Sequence, residues 1–156
     1  MGFLNNDDWN GKIFNGAYID ASGGAKPVME PAVGEPLMQV GMATAADVAA
    51  TTAIAAAAQK EWAAMPPRDR SAVFTKAAAI FQQNFDELAL YIARETGGLL
   101  PKGQHEVREA ALICTIAAGM PLQEQGIVLP STPGRTSIAR RVPHGVVGVI
   151  SPFNFP

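Results

Sequence analysis

The stretch "ARRVPHGVVGVISPFNFP", residues 139–156, decides how the chain is read. Val146, Val147, Val149 and Ile150, broken only by Gly148, form a nearly continuous apolar run. Such a run suits a strand buried on both faces of a sheet, since a half-exposed strand alternates instead. Pro143, His144 and Gly145 turn the chain into the run, and Pro152 stiffens its exit. The exit presents one carboxamide, Asn154, between Phe153 and Phe155. Asn beside Pro is an ordinary turn residue. It is also a ligand donor when it lies beyond the carboxyl end of a strand in an open α/β sheet, where ligands bind. Residue types alone leave both readings open.

Working back from that block, "TSIARRVP" alternates and carries charge on one face, which predicts a strand at a sheet edge or subunit boundary. "STPGR" before it is a loop. Helices fill the middle of the chain. "TAAD" from Thr44 to Asp47 is a variant capping box, and the alanine-dense run behind it is expected to be helical to about Ala64, packing Val48, Ile54, Ala58 and Trp62. Pro67 suits the first turn of a second helix with a stripe of Val73, Ala77, Ile80 and Phe81. After a break at Asn84, Phe85, Leu88, Ala89 and Ile92 continue the pattern until Gly97 and Gly98 cap it. A further helix is expected from about Gly103 to Gly119, with Val107, Ala110, Ala111, Cys114 and Ala118 on one face. At the start, "KIFNGAYIDA" reads as a hairpin about Asn15-Gly16, and "VMEPAVGEPLMQVGMA" as two short strands joined near Gly34.

The chain has 156 residues, 48% hydrophobic and 17% charged, which fits one globular domain. A net charge of -2 and a single short basic cluster, "RRVPH" with Arg135, argue against a nucleic-acid partner, because phosphate neutralisation needs a concentrated basic surface. No apolar run approaches the ~20 residues that cross a bilayer. The opening "MGFLNNDDWNGK" lacks the pattern of a secretory signal, and Asn6 spoils a myristoylation motif at Gly2, so a cytoplasmic location with no membrane partner is expected. Cys114 is the one cysteine, and it sits within "ALICTIAAG", where a thiol behaves as a small hydrophobe. His105 and His144 have no close His or Cys, so no metal site is expected.

Several of these motifs together resemble the N-terminal part of the aldehyde dehydrogenase superfamily. They are "FNGAYID", "EPAVGEPLMQVGMATAADV", "WAAMPPRDR", "RETGG" and the closing block. The resemblance implies an α/β fold with a Rossmann-like NAD-binding domain, peripheral strands, outer helices and an oligomer-bridging strand. Residues 1–125 would begin the cofactor domain, 126–143 would form the bridging segment, and 144–156 would supply the first buried strand and its turn. It further implies that Asn154 donates its amide to the substrate oxygen, completing an oxyanion hole. Ile150, Ser151, Pro152 and Phe153 would lie along NAD, or NADP as the alternative, with Ser151 beside the adenine-side ribose and Phe153 nearer the nicotinamide ribose. Phe153 stands where the family usually has Trp, and "GG" follows Glu95-Thr96 where Gly-Lys is common. Both departures resemble the branch that oxidises benzaldehyde or vanillin. The implied partners are a small aldehyde and a second or further copies of the chain, as a homodimer or homotetramer. The family's Cys nucleophile, Glu base and glycine-bearing phosphate segment lie downstream of this block, so these 156 residues alone are expected to be inactive. A non-catalytic binding module, and a CoA-acylating or semialdehyde enzyme of the same superfamily, are the alternative readings.

Overall fold

A computed structural model describes residues 2–4 and 6–151. The chain opens with a short helix, α1 (Asn6–Trp9), followed by two hairpins. The first pairs β1 (Lys12–Phe14) with β2 (Tyr18–Asp20) about the expected Asn-Gly turn, where Gly16 takes φ 112. The second pairs β3 (Ala25–Glu30) with β4 (Glu35–Gly41), and Gly34 N–H closes the turn onto Glu30 O at 2.9 Å. β1 crosses β4 so closely that a Cβ on Gly41 would meet the Lys12 carbonyl at 2.7–2.8 Å. Glycine is required there by packing rather than by its own dihedrals.

α2 (Ala45–Ala64) starts where the sequence predicts, with both halves of the capping box formed between Thr44 and Asp47. The Asp47 carboxylate also accepts from Ser22 Oγ at 2.6 Å and Ser22 N at 3.1 Å, so the cap ties the helix to the loop before β3. Bonding by Ser22, then by the Thr44 backbone, draws the Asp47 pKa from 3.8 down to about 2. The packed face expected on this helix is not formed: no residue of α2 is buried, and Val48 is 59% exposed. Alanine supplies helix propensity but little side chain to reach a neighbour. Trp62, near the helix end, does reach one, standing edge-on to Phe74 with ring centroids 6.1 Å apart.

The core lies among α3 (Pro67–Gln83), α4 (Phe85–Thr96) and α5 (Leu100–Gly119), with α3 and α4 both packed on α5. Its buried side chains are small: Ala78 on α3, Ala89 on α4, and Val107 and Ala111 on α5. Gly103 lets α5 approach α4 at Ala89, since a Cβ on Gly103 would stand 2.4 Å from the Ala89 carbonyl oxygen. Two stripe assignments shift. Val73 is exposed and Phe74 faces inward in its place, and Cys114, Ala110 and Ala118 are only half-buried. α5 begins at Leu100, earlier than expected, because Pro101 in the first turn is pre-set for helix geometry. The break at Asn84 and the left-handed cap at Gly97, φ 68, are as the sequence predicts. Arg94 reaches back to Glu30 at 2.6 Å and joins α4 to the second hairpin.

After a 3₁₀ turn at Met120–Leu122, β5 (Gly126–Leu129) pairs antiparallel with β6 (Ser137–Arg140). β6 was legible as an alternating strand; β5, "GIVL", is too short and uniform to show a period. Among the described residues the strands form three separate two-stranded hairpins. The buried strand expected at residues 146–150 is therefore not formed among the described residues: the run carries no strand pairing, and Ile150 is 98% exposed. A strand covered on both faces needs flanking strands and two packed layers, and none of the described elements supplies them. No helix among the described residues is long and apolar enough to cross a membrane.

Two outcomes follow from this packing. Gly103→Ala forces α4 and α5 apart and is expected to destabilise the protein by about 1–3 kcal/mol, read as a lower urea midpoint. Asp47 has a depressed folded pKa, so its contribution is present above 3.8 and is lost as pH falls through about 2. Asp47→Asn is expected to flatten the acid limb of the stability profile across that window, measured by denaturation at stepped pH; an unaltered acid limb would contradict the assignment.

Candidate active-site segment

The segment that carries the sequence-predicted site residues begins where the β5–β6 hairpin ends. Arg141 N–H donates to Gln125 O at 2.8 Å, the last backbone bond before the chain leaves the hairpin. Gln125 is itself braced, its side-chain amide donating to Gln123 O at 2.8 Å. Beyond Arg141 the chain turns at Gly145, φ 93, a left-handed conformation that glycine adopts without a steric cost. The apolar run follows. Among the described residues, no hydrogen bond engages the backbone of residues 142–151.

The structure places Ile150 and Ser151 at the far, exposed end of this run. Pro152, Phe153 and Asn154 lie outside the described residues. Ile150 is 98% exposed, and its backbone groups are open to solvent among the described residues.

At the root of the segment lies a cavity of about 370 Å³. Trp62 from α2, Arg70 from α3 and the chain at Arg141, Val142, Pro143 and Gly145 line it. Residues from both ends of the "WAAMPPRDR" motif therefore meet the root of the closing block. Sequence reading singled out that motif but contained no signal that it meets residues 141–145, because the contact joins positions far apart in the chain. The Arg70 Nε atom is buried and has no hydrogen-bond partner among the described residues.

The other reactive residue types do not assemble. His105 and His144 are exposed, and Cys114 is half-buried on α5. Among the described residues, no group of three or more His, Cys, Asp or Glu side chains could hold a metal ion. A separate cavity of about 490 Å³ lies between the hairpins and α4, with Trp9 edge-on to Tyr91 at 6.4 Å. Its lining is mainly apolar, from Leu4, Val28, Met38 and Ile92.

Comparison with known proteins gives a consistent result. Residues 18–156 match the profile described as "Aldehyde dehydrogenase family". Vanillin dehydrogenase of an Amycolatopsis species is 46% identical over 156 residues, covering 100% of this chain and 32% of that protein. Benzaldehyde dehydrogenase [NAD(+)] of Pseudomonas putida is 42% identical over 149 residues, covering 95% and 31%. The crystal structure of a NAD-dependent benzaldehyde dehydrogenase from Corynebacterium glutamicum superposes with a TM-score of 0.89 at 32% identity, over 100% of this chain and 34% of that one. The chain thus spans about a third of the length of the relatives it matches.

Proposed function

Because this chain belongs to the aldehyde dehydrogenase family, we propose that it contributes the oxyanion donor and part of the cofactor support to an enzyme that oxidises an aromatic aldehyde to the carboxylic acid with NAD. The observation that carries this reading is the likeness along the whole chain to a vanillin dehydrogenase and along nearly all of it to a benzaldehyde dehydrogenase. Benzaldehyde and vanillin are accordingly the first substrates to test. In this reading residues 1–125 belong to the cofactor domain, residues 126–143 bridge subunits, and residues 144–156 enter the central sheet. The β5–β6 hairpin, with Ile127, Val128 and Ile138 all more than half exposed, supports the bridging role.

The chemistry required of this chain is electrostatic. Attack of a cysteine thiolate, supplied by the catalytic domain, on the aldehyde carbon moves a pair of electrons onto the carbonyl oxygen. The Asn154 side-chain amide donates a hydrogen bond to that oxygen, and a fixed donor in a dry site is worth far more than one in water. Bound NAD supplies the hydride acceptor. Backbone groups of Ile150, Ser151, Pro152 and Phe153 hold and orient it, and these contacts tolerate Phe where Trp is usual, because a backbone contact does not depend on the side chain.

Two substitutions in the enzyme with its catalytic domain test this assignment. Asn154→Ala is expected to lower kcat for benzaldehyde by about 10²–10³-fold, the usual loss for one oxyanion donor. NAD affinity, followed by fluorescence titration, should change little; undiminished turnover would sink the role. Cys114→Ala is expected to leave kcat within about twofold, as for any small hydrophobe distant from the chemistry, and a collapse of activity would move the nucleophile to α5.

A further inference from the structure

The cavity at the root of the closing block contains a mismatch. On one side Arg70 presents a buried Nε–H with no acceptor among the described residues. A buried, unpaired donor is costly and rare in native proteins. On the other side the linker at residues 142–145 passes with its carbonyls unbonded. Pro143 has no N–H at all, so its peptide can only accept. Glu124 also lines the cavity but is exposed, and a solvated carboxylate gains little by turning inward to an arginine. Trp62 closes the wall beside Arg70, its own position set by Phe74 of α3. Arg70 and the linker residues Val142, Pro143 and Gly145 therefore line one cavity.

We propose that Arg70 is a positioning residue: its guanidinium bonds the carbonyls of the linker at residues 142–145, directly or through one water, and so sets the path of the run that ends at Asn154. Gly145 is the joint of that path, because its positive φ lets the chain change direction immediately after the linker. The linker leads directly in sequence into the run and Asn154, so a change in its path changes where that run begins. An error of about 1 Å at a reacting group can cost on the order of a hundredfold in rate. Arg70 acts at a distance from the chemistry, and the inference rests on the role given to Asn154 above.

The test is a double-mutant cycle on kcat in the enzyme with its catalytic domain, using Arg70→Ala, Asn154→Ala and the pair. Arg70→Ala is expected to lower kcat by between about tenfold and a hundredfold, with the KM for NAD unchanged. In the Asn154→Ala background it should cost almost nothing more, because the donor it positions is already gone. A small guanidinium solute added to Arg70→Ala should restore part of kcat. Should Arg70→Ala not fold by circular dichroism, Arg70→Lys, which keeps the charge and loses the Nε–H, enters the same cycle. An unchanged kcat with a folded Arg70 variant, beside a crippled Asn154→Ala, overturns this inference alone. A loss that multiplies in full with that of Asn154→Ala overturns it too, since Arg70 would then act by another route. Full turnover in Asn154→Ala removes the function assigned to that amide and this positioning role with it.

Discussion

The close approach of α5 to α4 at Gly103 is the constraint from which the rest of the structure is hung. The backbone of one helix lies against the Ala89 carbonyl of the other, leaving no room for a side chain. That proximity suits the small residues buried on these two helices, Ala89 on α4 and Val107 and Ala111 on α5. α4 ends at the Gly97 cap, and near that end Arg94 meets Glu30 of the second hairpin. The Arg94 guanidinium, chiefly by bonding it, holds the Glu30 carboxyl below the usual carboxylate range. Through the 3₁₀ turn that follows α5 and packs on α3, the same arrangement places the root of the closing block.

Local chemistry was the legible part of the sequence. The turns at Asn15-Gly16 and Gly34, the capping box at Thr44, the break at Asn84 and the cap at Gly97 each depend on a few adjacent residues, and each has the form those residues predict. Long-range packing was less legible. The face assigned to α2 failed because Val48 and Ile54 have helical spacing but no neighbour among the described elements to cover them. Val73 and Phe74 exchanged places for a related reason: adjacent apolar residues differ little in pattern, and Trp62 across the helix pair decides which is used.

The site divides along the same line. The closing block was recognisable as a unit, including Asn154, because its proline, glycine and valine pattern is local. Its anchorage was not, since the cavity that joins Trp62 and Arg70 to residues 141–145 exists only when three distant stretches of chain are folded together. Buried strand structure at residues 146–150 was the one element for which sequence composition pointed to partners that the described residues do not contain.

That unpaired valine run has a consequence for how the protein is made. Translation proceeds from the N-terminus, so on the proposed reading residues 146–150 leave the ribosome before the strands that flank them. Exposed, β-branched and uncharged, with Ile150 almost wholly accessible, the run has the character of a segment that pairs promiscuously with its own kind. Gly148 within it and Pro143 ahead of it act as interruptions that weaken such pairing. The helices behind it can pack as soon as they emerge, so the nascent chain holds its most adhesive segment at the end of an already folded base.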